Sequence, residues 1–340
     1  MENPSQPCSL LIPTYNGRDI LEQCLPSIQA ELDRRGNIDE LLVADNASTD
    51  GTPEFLAQHY PHARLLRLPE NIAIFALNPA AQQAAHPYLF FLNNDMLLEP
   101  GCVGRLLAAF RDDVFAVTGR VLQWDKRTVQ AARRRAAFSK GRFYYLPWGG
   151  PAEEQPGDTL YALGGQSMFH RDKFLDLGGI DPLFSPFYHE DLDVSYRAWR
   201  RGWRVLYEPS AVMIHKGAAT AGRMYSRAQL DAFMQKNLLL FIWKNLHAPG
   251  LCASHCGNCP GPCARVPPHA HTLRDPTPKS SHASIHNSGT DPNTNSLYYA
   301  LTVWPSPTKT KPNATAASWR TCSCPTSAPQ KPSSTTASCT

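Results

Sequence analysis

The sequence predicts an α/β fold built on a mostly parallel sheet with helices on both faces. Across the first 120 residues, apolar runs of four or five residues alternate with amphipathic stretches. That is the pattern of strands buried on both sides. Three of those runs also end in polar residues, at the strand ends where a parallel sheet opens its ligand crevice.

The first run, Ser9–Ile12, is stopped by Pro13. Ile20, Leu21, Cys24, Leu25, Ile28 and Leu32 then recur at helical spacing. Leu41–Ala44 is a second strand that ends on Asp45. Thr52-Pro53-Glu54 opens a second helix, with proline at an early position where its missing N–H costs little. Arg64–Leu68 reads as a third strand, Asn78–Ala85 as a weaker helix, Tyr88–Leu92 as a fourth strand and Gly101–Phe110 as a further helix. There is no internal repeat.

The length of 340 residues suits one large domain or two ordinary ones. The formal charge of +4 is unevenly placed: residues 1–250 hold 26 Lys and Arg against 27 Asp and Glu. A near-neutral front gives no electrostatic case for nucleic acid binding. Only Cys8, Cys24 and Cys102 precede residue 250, which predicts a reducing compartment and no disulfide framework. The opening MENPSQPCSLLIPTYNG lacks the charged and long apolar regions of a signal peptide. No run reaches the roughly 18–20 apolar residues of a membrane span. The front of the chain reads as cytoplasmic.

Within YLFFLNNDMLLEPG, residues 88–101, Asp95 interrupts an apolar run, and burying an unpaired carboxylate is expensive. Placed at the end of the fourth strand, it lies at the rim of the core, where a ligand can begin. Thr14-Tyr15-Asn16 and Asp45-Asn46 hold the matching positions after the first and second strands. Each alone also reads as a turn or helix cap; three at one edge favour a site. Pro-Thr-Tyr-Asn-Gly stands where a dinucleotide fingerprint would be, which weighs against hydride transfer. No P-loop is present either. A divalent cation on Asp95, a hard ion for hard oxygens, is the obvious way to hold phosphates.

Four segments, SLLIPTYNGRDILEQCLPSI, ELLVADNASTDGT, YLFFLNNDMLLEPG and GGIDPLFSPFYHEDLDVSYRAWRRGWRVLYEPSAVMIHKG, together resemble glycosyltransferase family 2 over residues 8–247. They are most similar to bacterial enzymes that add rhamnose or related sugars to cell-surface polysaccharides. The resemblance implies a GT-A fold, with a nucleotide-binding half joined to an acceptor-binding half, and inversion at the anomeric centre. Thr14 and Asn16 would then line the nucleotide pocket and Asp45 would bond the base. Asn94-Asp95 fills the place of the family's DxD-like motif, making Asp95 the implied ligand of Mg²⁺ or Mn²⁺. His215, in AVMIHKG, matches a histidine that reaches towards the diphosphate and metal, although a lone histidine after a strand also reads as structural.

Glu190-Asp191 matches the family's ED-x-D-x-x-x-R segment, in which one carboxylate is the general base. Displacement at the anomeric carbon needs a base for the acceptor's proton and neutralisation of the leaving diphosphate, which a metal can supply. Asp191 suits the first role and Asp95 the second. Glu190, Asp193 and Arg197 also fit an ordinary charged helix, with Arg197 paired to either acid. Trp199 and Trp203 read as core in preference to a sugar platform. Arg133–Arg135 reads as a solvated face in preference to a contact for an anionic lipid carrier. Gly164-Gly165 and Gly178-Gly179 match the family too, the first pair in a close turn beside the acceptor. Around the nucleotide, Asn71-Ile72-Ala73-Ile74 and Asn78 keep the family's two asparagines but lose its glycine and aromatic.

The expected division is a catalytic domain over residues 1–250, with a nucleotide half to about residue 120 and an acceptor half over 121–250, followed by a low-complexity tail over 251–340. The tail contains no Glu and two Asp. Its Cys252, Cys256, Cys259 and Cys263 resemble a zinc or iron–sulfur site. Out-of-frame translation is the preferred reading, ahead of a disordered natural tail and then a metal module. Family members usually carry membrane-associating amphipathic helices here, so peripheral membrane contact is a further implication.

The implied partners are a nucleotide-sugar donor, plausibly dTDP-rhamnose, and a glycan or lipid-linked acceptor. An inactive or truncated sugar-nucleotide-binding product stands as the alternative. A nucleotidyltransferase is disfavoured because no Gly-rich phosphate loop follows the first strand. Nothing in the sequence sets an oligomeric state.

Overall fold

The computed structural model describes residues 6–139, 142–217 and 221–245. All readings of the tail, the Cys252–Cys263 cluster included, lie outside them. The first part of the chain runs β1 (Cys8–Thr14), α1 (Arg18–Arg34), β2 (Glu40–Asp45), α2 (Thr52–His59), β3 (Arg64–Arg67), α3 (Leu77–Gln83), β4 (Tyr88–Leu92), β5 (Met96–Leu98) and α4 (Cys102–Ala108). It continues through β6 (Val114–Gln123), β7 (Val129–Ala131), β8 (Arg134–Ser139), β9 (Arg142–Pro147), β10 (Gly157–Asp158), β11 (Gln166–His170) and α5 (Arg171–Asp176). The described part closes with α6 (Glu190–Arg200), β12 (Arg204–His215), α7 (Ala221–Met224) and α8 (Arg227–Asn245).

One sheet has the order β10-β12-β6-β11-β4-β1-β2-β3. Strands β1 to β4 pair in parallel. The second half adds β11, antiparallel to both β4 and β6. Successive residues of β1 serve opposite faces, as strand geometry requires. Leu10 and Ile12 pack with Leu25, Val43 and Leu106, while Leu11 packs with Leu42, Phe91 and Phe174. Helices therefore cover both faces, as the unbroken apolar strands predict.

Pro13 does not stop β1, which runs on to Thr14. In a strand, each residue aims its N–H and C=O to one side, and neighbours alternate. The Thr14 carbonyl accepts from Asn46 N–H on the β2 side, so Pro13 faces β4. Pairing with β4 ends at Leu11 and Phe91, while pairing with β2 runs on through Thr14 and Asp45.

Two features fix the packing, one in each half. Glu31, buried on α1, accepts from the N–H groups of Gly101 and Val103 at 2.9 and 3.1 Å, placing its charge at the positive start of α4. In β12 a bulge between Glu208 and Val212 shifts the register against β6. A Cβ on Gly119 would stand 2.2 Å from the Ala211 carbonyl, so only glycine fits beneath the bulge.

Trp199 donates to the Leu160 carbonyl at 3.1 Å and Trp203 stacks on Phe115, so both serve the core. Arg133 departs from the expected solvated face: its guanidinium lies 3.9 Å from the centre of the Trp148 ring and donates to the Asp158 and Ala152 carbonyls. Among the described residues, no helix is long and apolar enough to cross a membrane.

Candidate active site

Because β4, β1 and β2 are adjacent, their C-terminal residues meet at one edge. Asn94 Nδ2 donates to Thr14 Oγ1 at 3.1 Å. A Cβ on Gly17 would fall 2.5 Å from Asn94 Nδ2 and 2.6 Å from Thr14 Oγ1, so glycine leaves room for that pair. Asn16, with φ 46°, donates its N–H to Ser48 Oγ at 2.9 Å and accepts from Thr49 N–H at 2.8 Å. Asp45 is fully buried. Its Oδ1 accepts from Ser48 N–H at 3.2 Å and its Oδ2 lies 3.4 Å from Arg67 Nε, yet Oδ2 receives no hydrogen bond.

The loop after β3 is clamped by Asn46, which accepts from Ile72 N–H at 3.1 Å and donates to the Ala73 carbonyl at 3.2 Å. Asn71 is exposed and accepts from Ala73 N–H at 2.9 Å. Ala73 holds φ 54°, a left-handed conformation that favours glycine. Asn78 is committed elsewhere: its amide bonds the N–H and carbonyl of Ile180 at 3.0 and 2.8 Å. Asn71 stays with the donor edge and Asn78 ties α3 to the loop before α6.

Asp95 and His215, 120 positions apart, are joined by strand register. β5 pairs antiparallel with β12, Met96 opposite His215, and Lys216 N–H continues the ladder to the Asp95 carbonyl at 3.0 Å. His215 Nε2 consequently sits 3.1 Å from Asp95 Oδ1. On the other ring edge, Nδ1 lies 3.0 Å from Gln130 Nε2, 3.2 Å from Gln130 Oε1 and 3.3 Å from Gln166 Nε2. With Nδ1 accepting from the Gln130 and Gln166 amides, Nε2–H donates to Asp95 Oδ1; Gln130 Oε1 accepting from Nδ1–H would instead free the Nε2 lone pair for a cation. A carboxylate oxygen and an imidazole nitrogen this close would together be able to hold a divalent cation. The donor set fits the implied metal. Among the described residues no group of three or more His, Cys, Asp or Glu forms a full protein cage.

The third part of the site is the start of α6. Gly164 N–H donates to Asp191 Oδ2 at 2.9 Å and Leu192 N–H donates to Oδ1 at 2.7 Å. Burial raises the Asp191 pKa, and those two N–H bonds oppose the rise. Glu190 is buried with Oε2 unpartnered. Burial first, and the neighbouring Asp191 charge second, push its pKa up to about 8. A Cβ on Gly164 would stand 3.1 Å from Glu190 Oε1, and one on Gly165 would strike Asn93 Oδ1 at 2.0 Å, so this diglycine permits a close turn. Asp193 points the other way, to Arg197 Nε at 2.8 Å, Lys244 Nζ at 2.9 Å and Asn245 Nδ2 at 2.8 Å. Of the two acids open to Arg197, Asp193 takes it.

The structure thus gathers Thr14, Asn16, Asp45, Asn71, Asn94, Asp95 and His215 along one edge, and sets Glu190 and Asp191 against Gly164. Gly17, Gln130 and Gln166 went unread from sequence. Gly17 stands inside the quoted PTYNG motif, whereas the two glutamines carry no local signal.

An α/β sheet with polar residues at its strand ends, together with a buried acid pair at a helix start, is the arrangement expected of a glycosyltransferase of the GT-A fold. The chain belongs to glycosyl transferase family 2, whose family model matches residues 9–178. It is 29% identical over 240 residues to an N-acetylglucosaminyl-diphospho-decaprenol L-rhamnosyltransferase of Mycobacterium tuberculosis, covering 62% of this chain and 76% of that protein. It is 30% identical over 227 residues to the O-antigen biosynthesis protein RfbC of Myxococcus xanthus, covering 62% of this chain and 17% of that protein. Among solved structures, GalNAc-T7 with UDP, GalNAc and Mn²⁺ superposes with a TM-score of 0.53 at 17% identity, covering 68% of this chain and 48% of that one. At that identity the likeness concerns the fold alone.

Proposed function

We propose that the protein is an inverting, divalent-metal-dependent glycosyltransferase, its catalytic unit within residues 1–250. It moves a deoxyhexose, rhamnose from dTDP-rhamnose in our reading, to a lipid-linked N-acetylglucosaminyl diphosphate in cell-surface polysaccharide synthesis. The donor and acceptor are taken from the mycobacterial relative's chemistry and the motif resemblance. The observation that carries the mechanism is the Asp95–His215 pair set at the donor edge while Asp191 is held by two backbone N–H groups.

Thr14, Asn16 and Asn71 line the nucleotide slot, and Oδ2 of Asp45, which receives no hydrogen bond within the protein, accepts from the base. Asp95 and His215 would hold Mg²⁺ or Mn²⁺, which when bound neutralises charge on the leaving diphosphate. Asn94 holds Thr14 and thereby the edge. Asp191, ionised, accepts the proton of the acceptor hydroxyl as its oxygen attacks the anomeric carbon and the bond to the diphosphate breaks. Glu190 stays protonated near neutral pH and leaves Asp191 as the one charged carboxylate of the pair.

A second reading, donor binding without transfer, draws on the left-handed Ala73 in the slot loop. Both readings meet in one assay. Purified protein is given a panel of nucleotide sugars with Mn²⁺ or Mg²⁺, with and without an N-acetylglucosaminyl diphospho-lipid, and nucleoside diphosphate release is followed. Metal-dependent release from dTDP-rhamnose, accelerated by the acceptor, is expected. Donor binding with no release under any pairing would establish the second reading.

A further inference from the structure

One buried polar side chain at the site has no task in this mechanism. His189 precedes the acid pair, is 6% exposed, and neither ring nitrogen has a hydrogen-bond partner. Buried polar atoms in folded proteins almost always find partners, because leaving them without water or a replacement is costly.

Its backbone is unusual as well. His189 has φ 70° and the preceding Tyr188 has φ 77°, two successive non-glycine residues in the left-handed region. Such conformations persist only where the surroundings enforce them, and they cluster at functional sites. Here the enforcement is visible. Asn237 of α8, completely buried, donates to the carbonyls of Phe184, Phe187 and Tyr188 at 2.6, 2.8 and 3.0 Å. The strained corner that carries His189 is therefore held in place by an amide from a distant helix.

The surroundings indicate what such an imidazole can meet. Tyr145 of β9 presents its ring edge-on to His189 at 5.7 Å, and Tyr145 lies 6.0 Å from Tyr161. Burial holds the His189 pKa down, to about 4, so the ring is neutral at physiological pH. A neutral imidazole offers one N–H donor and one lone-pair acceptor, and a sugar hydroxyl is likewise both donor and acceptor. The electron-rich faces of these rings suit the apolar C–H face of a pyranose. A cation site is a poorer match, since no cluster of three or more ligating side chains forms among the described residues. A second general base is poorer still, since the ring binds a proton weakly.

We propose that His189 determines acceptor specificity by hydrogen-bonding a second hydroxyl of the acceptor sugar, beside the hydroxyl that Asp191 deprotonates. Tyr145 and Tyr161 form the wall of that subsite. This rests on the glycosyl transfer proposed above and adds the residue that reads the acceptor.

The test uses the full chain with a synthetic N-acetylglucosaminyl diphospho-lipid and its monodeoxy analogues. His189→Gly removes the imidazole and relieves the left-handed backbone, while His189→Asn tolerates that backbone and keeps a donor and an acceptor. The wild type is expected to discriminate against one monodeoxy analogue by roughly 10–100-fold, the usual cost of stranding a buried polar group. In His189→Gly the acceptor KM rises by about the same factor and that discrimination collapses towards unity, with nucleoside diphosphate affinity and Tm held. His189→Asn recovers part of the discrimination, which a purely structural role would not produce. Unaltered discrimination in both variants, with the wild type active, overturns the assignment and leaves the proposed function standing. A wild type that transfers to none of these acceptors overturns the proposed function and this assignment together.

Discussion

At the donor edge the buried polar groups have protein partners before any ligand arrives, whereas at the start of α6 two buried side chains keep polar atoms that have none. Thr14 is bonded by Asn94, Asn16 by Ser48 and Thr49, and Asn46 by the slot loop. The exception there is a single oxygen, Asp45 Oδ2. At α6, Glu190 Oε2 and both nitrogens of His189 lack partners, on a backbone with two consecutive left-handed residues. Unpaired buried groups lower stability, so they persist where a ligand completes them or where an altered proton affinity is useful. The donor edge is built to be rigid and the α6 corner to be completed.

Asp95 provides the strongest way to break the donor side of that contrast. Asp95→Ala is expected to abolish transfer and metal-dependent donor binding with the fold intact, because the remaining partner at the metal position is His215 alone. Calorimetric titration of donor with and without Mn²⁺ checks it. Full activity in chelator-treated wild type would remove the metal from the mechanism.

Asp191→Asn should retain donor binding and lower turnover by roughly 10²–10⁴-fold, the usual worth of a positioned base. Glu190→Gln should cost far less, because a glutamine resembles the protonated acid that burial already enforces. Single-turnover rates with saturating donor separate the two variants. A larger loss in Glu190→Gln, at equal stability, would transfer the base role to Glu190.

The same acid pair sets a pH dependence of stability. Glu190 titrates near 8 in the folded protein, against an ordinary value of 4.5. Between those values the folded state binds a proton that the unfolded chain has released. Stability is therefore fully supported below about 4.5 and declines as pH rises towards 8. Glu190→Gln carries no titrating proton, so its Tm should exceed that of wild type at pH 8 by more than at pH 5. A gap that is constant with pH would mean that Glu190 is ionised in the folded protein.

The two regions also differ in how far the sequence could be read. Strands β1, β2 and β4 announced themselves by apolar runs, and Thr14, Asp45 and Asp95 by their places at the strand ends. Pro13 misled because its missing N–H bears only on the β4 side, where pairing ends at Leu11, and leaves the β2 ladder to run on to Thr14. The acid pair at 190–191 was found through its motif. Yet what surrounds it comes from Gly164, Tyr145 and Asn237, tens of residues away in either direction. Sequence spacing carries helical and strand neighbours, and it is silent on contacts made by tertiary register. His215 illustrates this: its motif suggested a role, but the pairing of β5 with β12 is what brings it to Asp95. Gln130 and Gln166, which orient that ring, lie on other strands and follow no periodicity.

The smallest expected effect concerns Ala73, one of three left-handed non-glycine residues on the donor side with Asn16 and Ala47. Ala73 occupies a left-handed conformation with φ 54°, where an L side chain costs about 1–2 kcal/mol. Glycine relieves that cost in the folded state but widens the unfolded ensemble by about 0.4–1 kcal/mol. Ala73→Gly should therefore stabilise by between about 0 and 1.6 kcal/mol. Because Asn46 grips the loop through the Ile72 N–H and the Ala73 carbonyl, neither of which belongs to the Ala73 side chain, donor affinity should stay close to wild type. Urea unfolding and nucleotide titration measure the two quantities on one sample. A marked loss of donor affinity in the more stable variant would show that the alanine methyl is itself a wall of the nucleotide slot, and that the donor edge, too, stores strain for its ligand.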